Sequence, residues 1–266
     1  MYDRFNRKIN YLRISVTDRC NLRCTYCMPE KGVDLIKHDE ILSFEEIVEF
    51  VETAVEMGID KVRITGGEPL VRRGIVGLVK MISQINGIKD FAMTTNGVFL
   101  DRFAKSLAEA GLHRVNISLD TLNPEKFKKL TRVGNLSTVL KGIDAAQEAG
   151  LTPIKINCVI KKSPLEEDAQ AVAAFCKERN LKVRFIKEMD LETGIFSKVI
   201  GGDGGHCATC NRLRLTANGK IKPCLFSDIE IDIKELGPKN AILKAIGEKP
   251  RSGTENKINR FSNIGG

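Results

Sequence analysis

The chain has 266 residues, 42 lysines and arginines against 34 aspartates and glutamates, a formal charge of +8, and 42% hydrophobic residues without a tryptophan. That length and apolar content suit one large domain, or one domain with an appendage, and the positive balance points to an anionic partner. No basic run interleaved with aromatics marks a nucleic-acid groove, no stretch is apolar for long enough to span a bilayer, and MYDRFNRKIN lacks the apolar core of a signal peptide. The chain therefore reads as cytoplasmic, with no nucleic acid and no membrane as partner. In that compartment its eight cysteines serve as metal ligands or core residues rather than disulfides.

In chain order, YLRISVT (11–17) predicts a strand and SFEEIVEFVETAVEMG a helix, opened by a capping box of Ser43 and Glu46 and stopped at Gly58. KVRIT (61–65), DFAMTT (90–95), RVNISL (114–119), PIKINCVI (153–160) and KVRFIKEM (182–189) predict five more strands. Helical patterns lie between them and end at AEAG, QEAG and KERN. Six strand–helix units in series argue for a parallel sheet with helices outside. A full eight-fold barrel needs more, so the expected fold is α/β, an incomplete (β/α)6 TIM-type barrel, with an open doubly wound sheet as the alternative. The predicted division is a barrel at 1–190, a Gly-rich linker at 191–206, and a short C-terminal cluster-binding region at 207–266.

DRCNLRCTYCMPE places Cys20, Cys24 and Cys27 in the loop after the first strand. Loops at strand C-terminal ends carry the chemistry of parallel barrels. A closed structural zinc site takes four ligands, whereas a [4Fe–4S] cube held by three thiolates leaves one iron open to a small molecule. Zinc completed by His38 is the competing account. ITGGEPL follows the second strand, and there Gly66 and Gly67 permit close backbone approach to a ligand or serve an ordinary turn. A second trio, Cys207-x2-Cys210-x13-Cys224, reads either as another open cube or as three-quarters of a zinc ribbon with His206 adjacent. Arg212 and Arg214 follow at alternate positions and share a face of an extended segment. Arg13, Arg63, Lys155 and Arg184 lie on four separate predicted strands, where burying a charge is costly unless a counter-charge meets it. An anionic ligand would meet all four. Cys158 and Cys176 sit on apolar faces and read as core, and Asp120 reads as a turn-former.

The C-x3-C-x2-C loop, with Tyr26 before its last cysteine, resembles the signature of the radical S-adenosylmethionine (SAM) enzymes. With RITGGEPL, TTNG, NISLDTL, PIKIN, VRFI and the final IGG, the likeness extends over nearly the whole chain to the GTP cyclases of molybdenum cofactor biosynthesis, lyases within that superfamily. The resemblance implies two [4Fe–4S] clusters: a SAM cluster on Cys20, Cys24 and Cys27, and a substrate cluster on Cys207, Cys210 and Cys224. It implies SAM-binding roles for Tyr26, Gly67, Ser118 and Met189. It implies GTP-binding roles for Arg13, Arg63, Thr94, Lys155, Arg184, Arg212 and Arg214, and a tail, Gly265 and Gly266, that enters the site. The implied reaction converts GTP to (8S)-3′,8-cyclo-7,8-dihydroguanosine 5′-triphosphate: a deoxyadenosyl radical takes a hydrogen from ribose C3′, and that carbon attacks guanine C8. SAM and GTP are the implied partners, together with an electron donor the residues do not identify, in a monomer or homodimer. The alternatives are another two-cluster radical SAM enzyme, such as a peptide-modifying maturase, and a non-catalytic zinc-binding nucleotide sensor. Between Asp190 and Cys207 this chain is much shorter than the family pattern.

Overall fold

YLRIS, strand β1 (Tyr11–Ser15), sets the rule for the sheet. Leu12 and Ile14 pack into the apolar core, while Tyr11 and Arg13 face a cavity, as the two-residue period of a strand requires. The same rule holds on β2 (Lys61–Thr65), β3 (Asp90–Thr95), β4 (Arg114–Ser118), β5 (Lys155–Ile160) and β6 (Lys182–Lys187). Between them lie α1 (Phe44–Glu56), α2 (Ile75–Ser83), α3 (Leu100–Glu109), α4 (Pro124–Thr131), α5 (Leu136–Glu148) and α6 (Glu167–Glu178). The capping box forms as predicted: Ser43 Oγ accepts the Glu46 N–H at 3.1 Å, and the Glu46 carboxylate accepts the Ser43 N–H at 2.6 Å. This computed structural model describes residues 1–264; Gly265 and Gly266, expected to enter the site, lie outside the described residues.

The sheet has nine strands in the order β6-β5-β4-β3-β2-β1-β7-β8-β9. Strands β1 to β6 are parallel and neighbour one another in chain order. Every crossover from β1 to β6 therefore steps the same way, and among these six strands the reversal of strand order that defines a doubly wound sheet does not occur. Inward side chains from all six strands line one cavity, so the sheet curls into a partial barrel. Its apolar layer lies between strands and helices, from Ile14, Ile64, Met93, Ile117 and Ile156 to Phe50, Leu78, Leu107 and Ile143. Cys158 and Cys176 belong to that layer, each 1% exposed.

Strand β7 (Arg212–Leu215) adds to the free edge of β1 in parallel, and β8 (Lys220–Lys222) and β9 (Ile231–Asp232) continue antiparallel. Helices α7 (Ile233–Gly247) and α8 (Phe261–Ile264) follow. The chain must cross from β6 at one edge to β7 beyond β1, and residues 191–206 make that crossing. They form a wall rather than a tether: Leu191 is buried, Phe196 stacks on Phe226 with ring centroids 4.5 Å apart, and Ile200 bridges to Phe185. Among the described residues no helix is long and apolar enough to cross a membrane.

Candidate active site: two cysteine trios around a cationic chamber

The interior of an ordinary parallel barrel is filled by packed apolar side chains. Here it is a chamber of about 540 Å³ lined by both cysteine trios and by charged residues of β1 to β7. Register explains the charge. Arg13 on β1 stands opposite Arg63 on β2 and Arg214 on β7, so three guanidinium groups share one lateral row. Like charges directly across a sheet repel. Burial first, and then Arg214, holds Arg13 well below the usual arginine range; burial and Arg212 bring Arg214 down to about 10. Lys155 falls to about 8, through burial and then through Arg114, Arg184 and Arg63. Arg63 and Arg212 flank the Tyr11 ring at 5.3 and 5.6 Å from its centroid. Among the described residues Arg63 Nε and Thr94 Oγ1 are buried without a hydrogen-bond partner, which is costly unless a ligand supplies one.

All seven residues expected to bind GTP (Arg13, Arg63, Thr94, Lys155, Arg184, Arg212 and Arg214) line this chamber, as do Tyr26, Gly67, Ser118 and Met189. Sequence reasoning missed Lys61, Asp90 and Arg114, which line it too. Arg114 donates to Asp90 twice, at 2.9 and 2.6 Å, and to Asn116 Oδ1 at 2.9 Å. Against the upward pull of burial, that pair holds the Asp90 carboxyl below its usual range. Extending the two-residue period back along each strand from Arg63, Thr94 and Ser118 would have found all three.

In the loop after β1, the Cys27 and Met28 amides both donate to Cys24 O, at 3.0 and 2.9 Å, closing a turn around the last two thiols. The Arg132 guanidinium donates to Arg23 O at 2.7 Å and Met28 O at 3.0 Å and braces that turn. Gly66 and Gly67 meet a packing constraint. A Cβ on Gly67 would stand 2.4 Å from Arg19 O, and one on Gly66 2.8 Å from Thr17 O. The glycines let this loop pack backbone to backbone on the cysteine loop. Glu68 then accepts from Leu70 N at 3.0 Å, Thr95 Oγ1 at 2.8 Å and Asn96 N at 2.7 Å, and burial lifts its carboxyl to about 7. Asn96 in turn donates to Asn21 Oδ1 at 2.7 Å and to Cys20 Sγ at 3.7 Å. Asp120 is more than a turn-former. It accepts the Tyr26 hydroxyl at 2.8 Å and the Val159 N–H at 2.7 Å, and burial pushes its carboxyl up to about 6.

Burial and mutual repulsion push the Cys24 and Cys27 thiols up to about 12, and burial raises Cys20. Such a crowd of soft donors calls for a cationic centre. In the second trio, Cys207 and Cys210 flank a tight turn in which Cys210 N donates to Cys207 O at 3.2 Å, and Cys224 follows β8. Burial raises Cys210, but Lys249, the Arg212 amide and both neighbouring arginines outweigh it, so that thiol lies below its ordinary range. Among the described residues no three His, Cys, Asp or Glu side chains converge on a point that one ion could occupy. Zinc on either trio thus lacks geometric support. A cube binds its thiolates at separate corners, and three sulfurs facing a common chamber fit it.

The curled sheet, the three-cysteine loop at the end of β1 and the glycine loop packed on it define a radical SAM protein, which uses SAM and an iron–sulfur cluster. The Radical SAM superfamily profile matches residues 14–176, and the Molybdenum Cofactor Synthesis C profile matches 203–262. A GTP 3′,8-cyclase of Thermodesulfovibrio yellowstonii is 42% identical over 322 aligned positions, covering 100% of both chains. One from Alkaliphilus oremlandii is 45% identical, covering 88% of this chain and 86% of its own. The chain belongs to the GTP 3′,8-cyclase family of the radical SAM superfamily. Among solved structures, native anSMEcpe with bound AdoMet matches with a TM-score of 0.65 at 16% identity, covering 91% of this chain and 81% of its own. Streptococcus suis SuiB bound to S-adenosylmethionine matches at 0.60 and 16%, covering 91% and 64%. These two likenesses concern the fold.

Proposed function

We propose that the chamber holds GTP between two [4Fe–4S] clusters, one on Cys20, Cys24 and Cys27 and one on Cys207, Cys210 and Cys224, and that the chain converts GTP to (8S)-3′,8-cyclo-7,8-dihydroguanosine 5′-triphosphate for molybdenum cofactor synthesis. The observation that carries this reading is the lateral row Arg214–Arg13–Arg63, set in a cavity that both trios line. When bound, SAM and the first cluster supply the radical that takes hydrogen from ribose C3′. The chain's own residues do the rest. Arg13, Arg63, Lys155, Arg184, Arg212 and Arg214 neutralise the triphosphate, and Arg63 Nε and Thr94 Oγ1 gain the partners they lack. Tyr26, fixed by Asp120, and Gly67, Ser118 and Met189 line the SAM end. Holding the ribose still between two anchored ends converts binding into positioning, which can lower a barrier by several kcal/mol. Residues 191–206 wall the chamber and keep out water and stray hydrogen donors. On this reading the chain divides into a barrel at 1–190, a wall segment at 191–206 and a substrate-cluster region at 207–266.

The test is anaerobic reconstitution with iron and sulfide, then SAM, GTP and dithionite. The expected products are 5′-deoxyadenosine and the cyclised nucleotide. Cys20→Ala should abolish both, whereas Cys207→Ala should lose the cyclised product and about half the iron. Absence of both products from the fully loaded chain overturns the proposal.

A further inference from the structure

The C-terminal region buries two lysines almost completely, Lys222 at 0% and Lys249 at 2% exposed. Lys222 has a carboxylate partner, Glu230, at 3.3 Å. Among the described residues Lys249 has none. Its Nζ donates to two backbone carbonyls, Arg212 O at 2.7 Å and Pro223 O. Each carbonyl sits beside the trio, two residues after Cys210 and one before Cys224. Among the described residues the anionic groups that act most on this ammonium are the sulfurs of Cys210 and Cys224. The nearby guanidinium of Arg7 is already paired with Asp3 at 2.6 Å and donates to Cys207 O, Pro250 O and Arg251 O, so it brings no negative charge.

Burying an ammonium without a counter-charge is strongly unfavourable. Neutral thiols would leave Lys249 in that position. An oxidised four-iron cube held by three thiolates carries one net negative charge, and the single positive charge of Lys249 balances it. Hydrogen bonds to cluster sulfur and nearby charge are also the levers by which a protein sets the potential of such a cube.

We infer that Lys249 is the built-in counter-cation of the second cysteine trio, a positioning residue whose ammonium holds Cys210 and raises the reduction potential of the cluster bound there. The inference rests on the two-cluster reading above. In the first trio the largest influences on Cys24 and Cys27 are burial and neighbouring thiols rather than a buried lysine.

The experiment uses the full chain with Cys20, Cys24 and Cys27 changed to alanine, so that only the second trio takes up iron, and compares it with the same chain carrying Lys249→Met. Potentials come from redox titration followed by electron paramagnetic resonance. The expected result is at least a tenfold shift against the reduced form in Lys249→Met, about 59 mV more negative for a one-electron couple. Retained iron with an unchanged potential overturns the role of Lys249. A parent chain that takes up no iron overturns the two-cluster reading itself, which separates the two failures. Should Lys249→Met lose the cluster altogether, Lys249→Arg decides. Iron restored by the second cation supports the inference, and a site still empty overturns it.

Discussion

Lys155 shows how a single residue in the chamber responds to its neighbours. Burial and three guanidinium groups bring its ammonium down to about 8. In the free chain it is charged below that pH and loses its proton above it. A bound triphosphate restores the preference for the charged form, so above pH 8 binding takes up a proton and weakens as pH rises. The apparent affinity for GTP, measured by isothermal titration between pH 7.5 and 9.5, should fall over this range in the parent chain. In Lys155→Met it should be about tenfold weaker at the low end and should lose the part of the slope that belongs to Lys155. An identical slope in both chains would remove Lys155 from the phosphate site. The cationic character of this position was legible in the sequence, as were both trios. Asp120 was not: its bonds to Tyr26 and Val159 span 94 and 39 residues, and no local pattern encodes them.

At the scale of elements, the strands fall where the alternation and β-branched runs put them, with KVRIT and DFAMTT matching to the residue. Helix contacts are another matter. Gly142 in α5 presses against the loop before α3, where a Cβ would lie 2.4 Å from Gly97 O. Gly142→Ala should therefore destabilise the fold by about 1–3 kcal/mol through overpacking. Gly77 in α2 faces open space within 4 Å. Gly77→Ala should stabilise by about 0.5–1 kcal/mol, since alanine loses less backbone freedom on folding. Urea titrations of both variants check this pair. Equal midpoints would mean the α3–α5 packing is looser than described. The sequence shows two glycines in two helices and cannot tell them apart, because the difference lies entirely in what the other helix brings near.

For the whole molecule, the apolar layer and the chemical chamber are separate. The main core contains none of the six trio cysteines, while Phe226, Leu191 and Ile264 form a small second cluster with Cys224 at its margin. Removing iron should therefore loosen the two cysteine loops and leave the barrel standing. In amide hydrogen exchange after anaerobic chelation, residues 18–30 and 206–226 should lose protection and β2 to β6 should keep theirs. Loss of protection in the central strands would mean that the clusters hold the fold itself. The alignment with the Thermodesulfovibrio relative is longer than this chain, so some of the relative's residues have no counterpart here. The wall built by residues 191–206 closes the chamber with few residues.

By itself the sequence determined the local content: six strands with helices between them, the cap at Ser43, two trios of thiols, and cations spaced along strands. Periodicity, turn chemistry and ligand spacing are short-range properties, written within a few residues of one another. Only the tertiary structure decided which strand faces point inward, that Arg13 stands between Arg63 and Arg214, that the supposed linker is a wall, and that Lys249 reaches the carbonyls of Arg212 and Pro223, 37 and 26 residues away. Those facts depend on strand register and on the curl of the sheet. Both are set by the packing of the whole apolar layer rather than by any one segment.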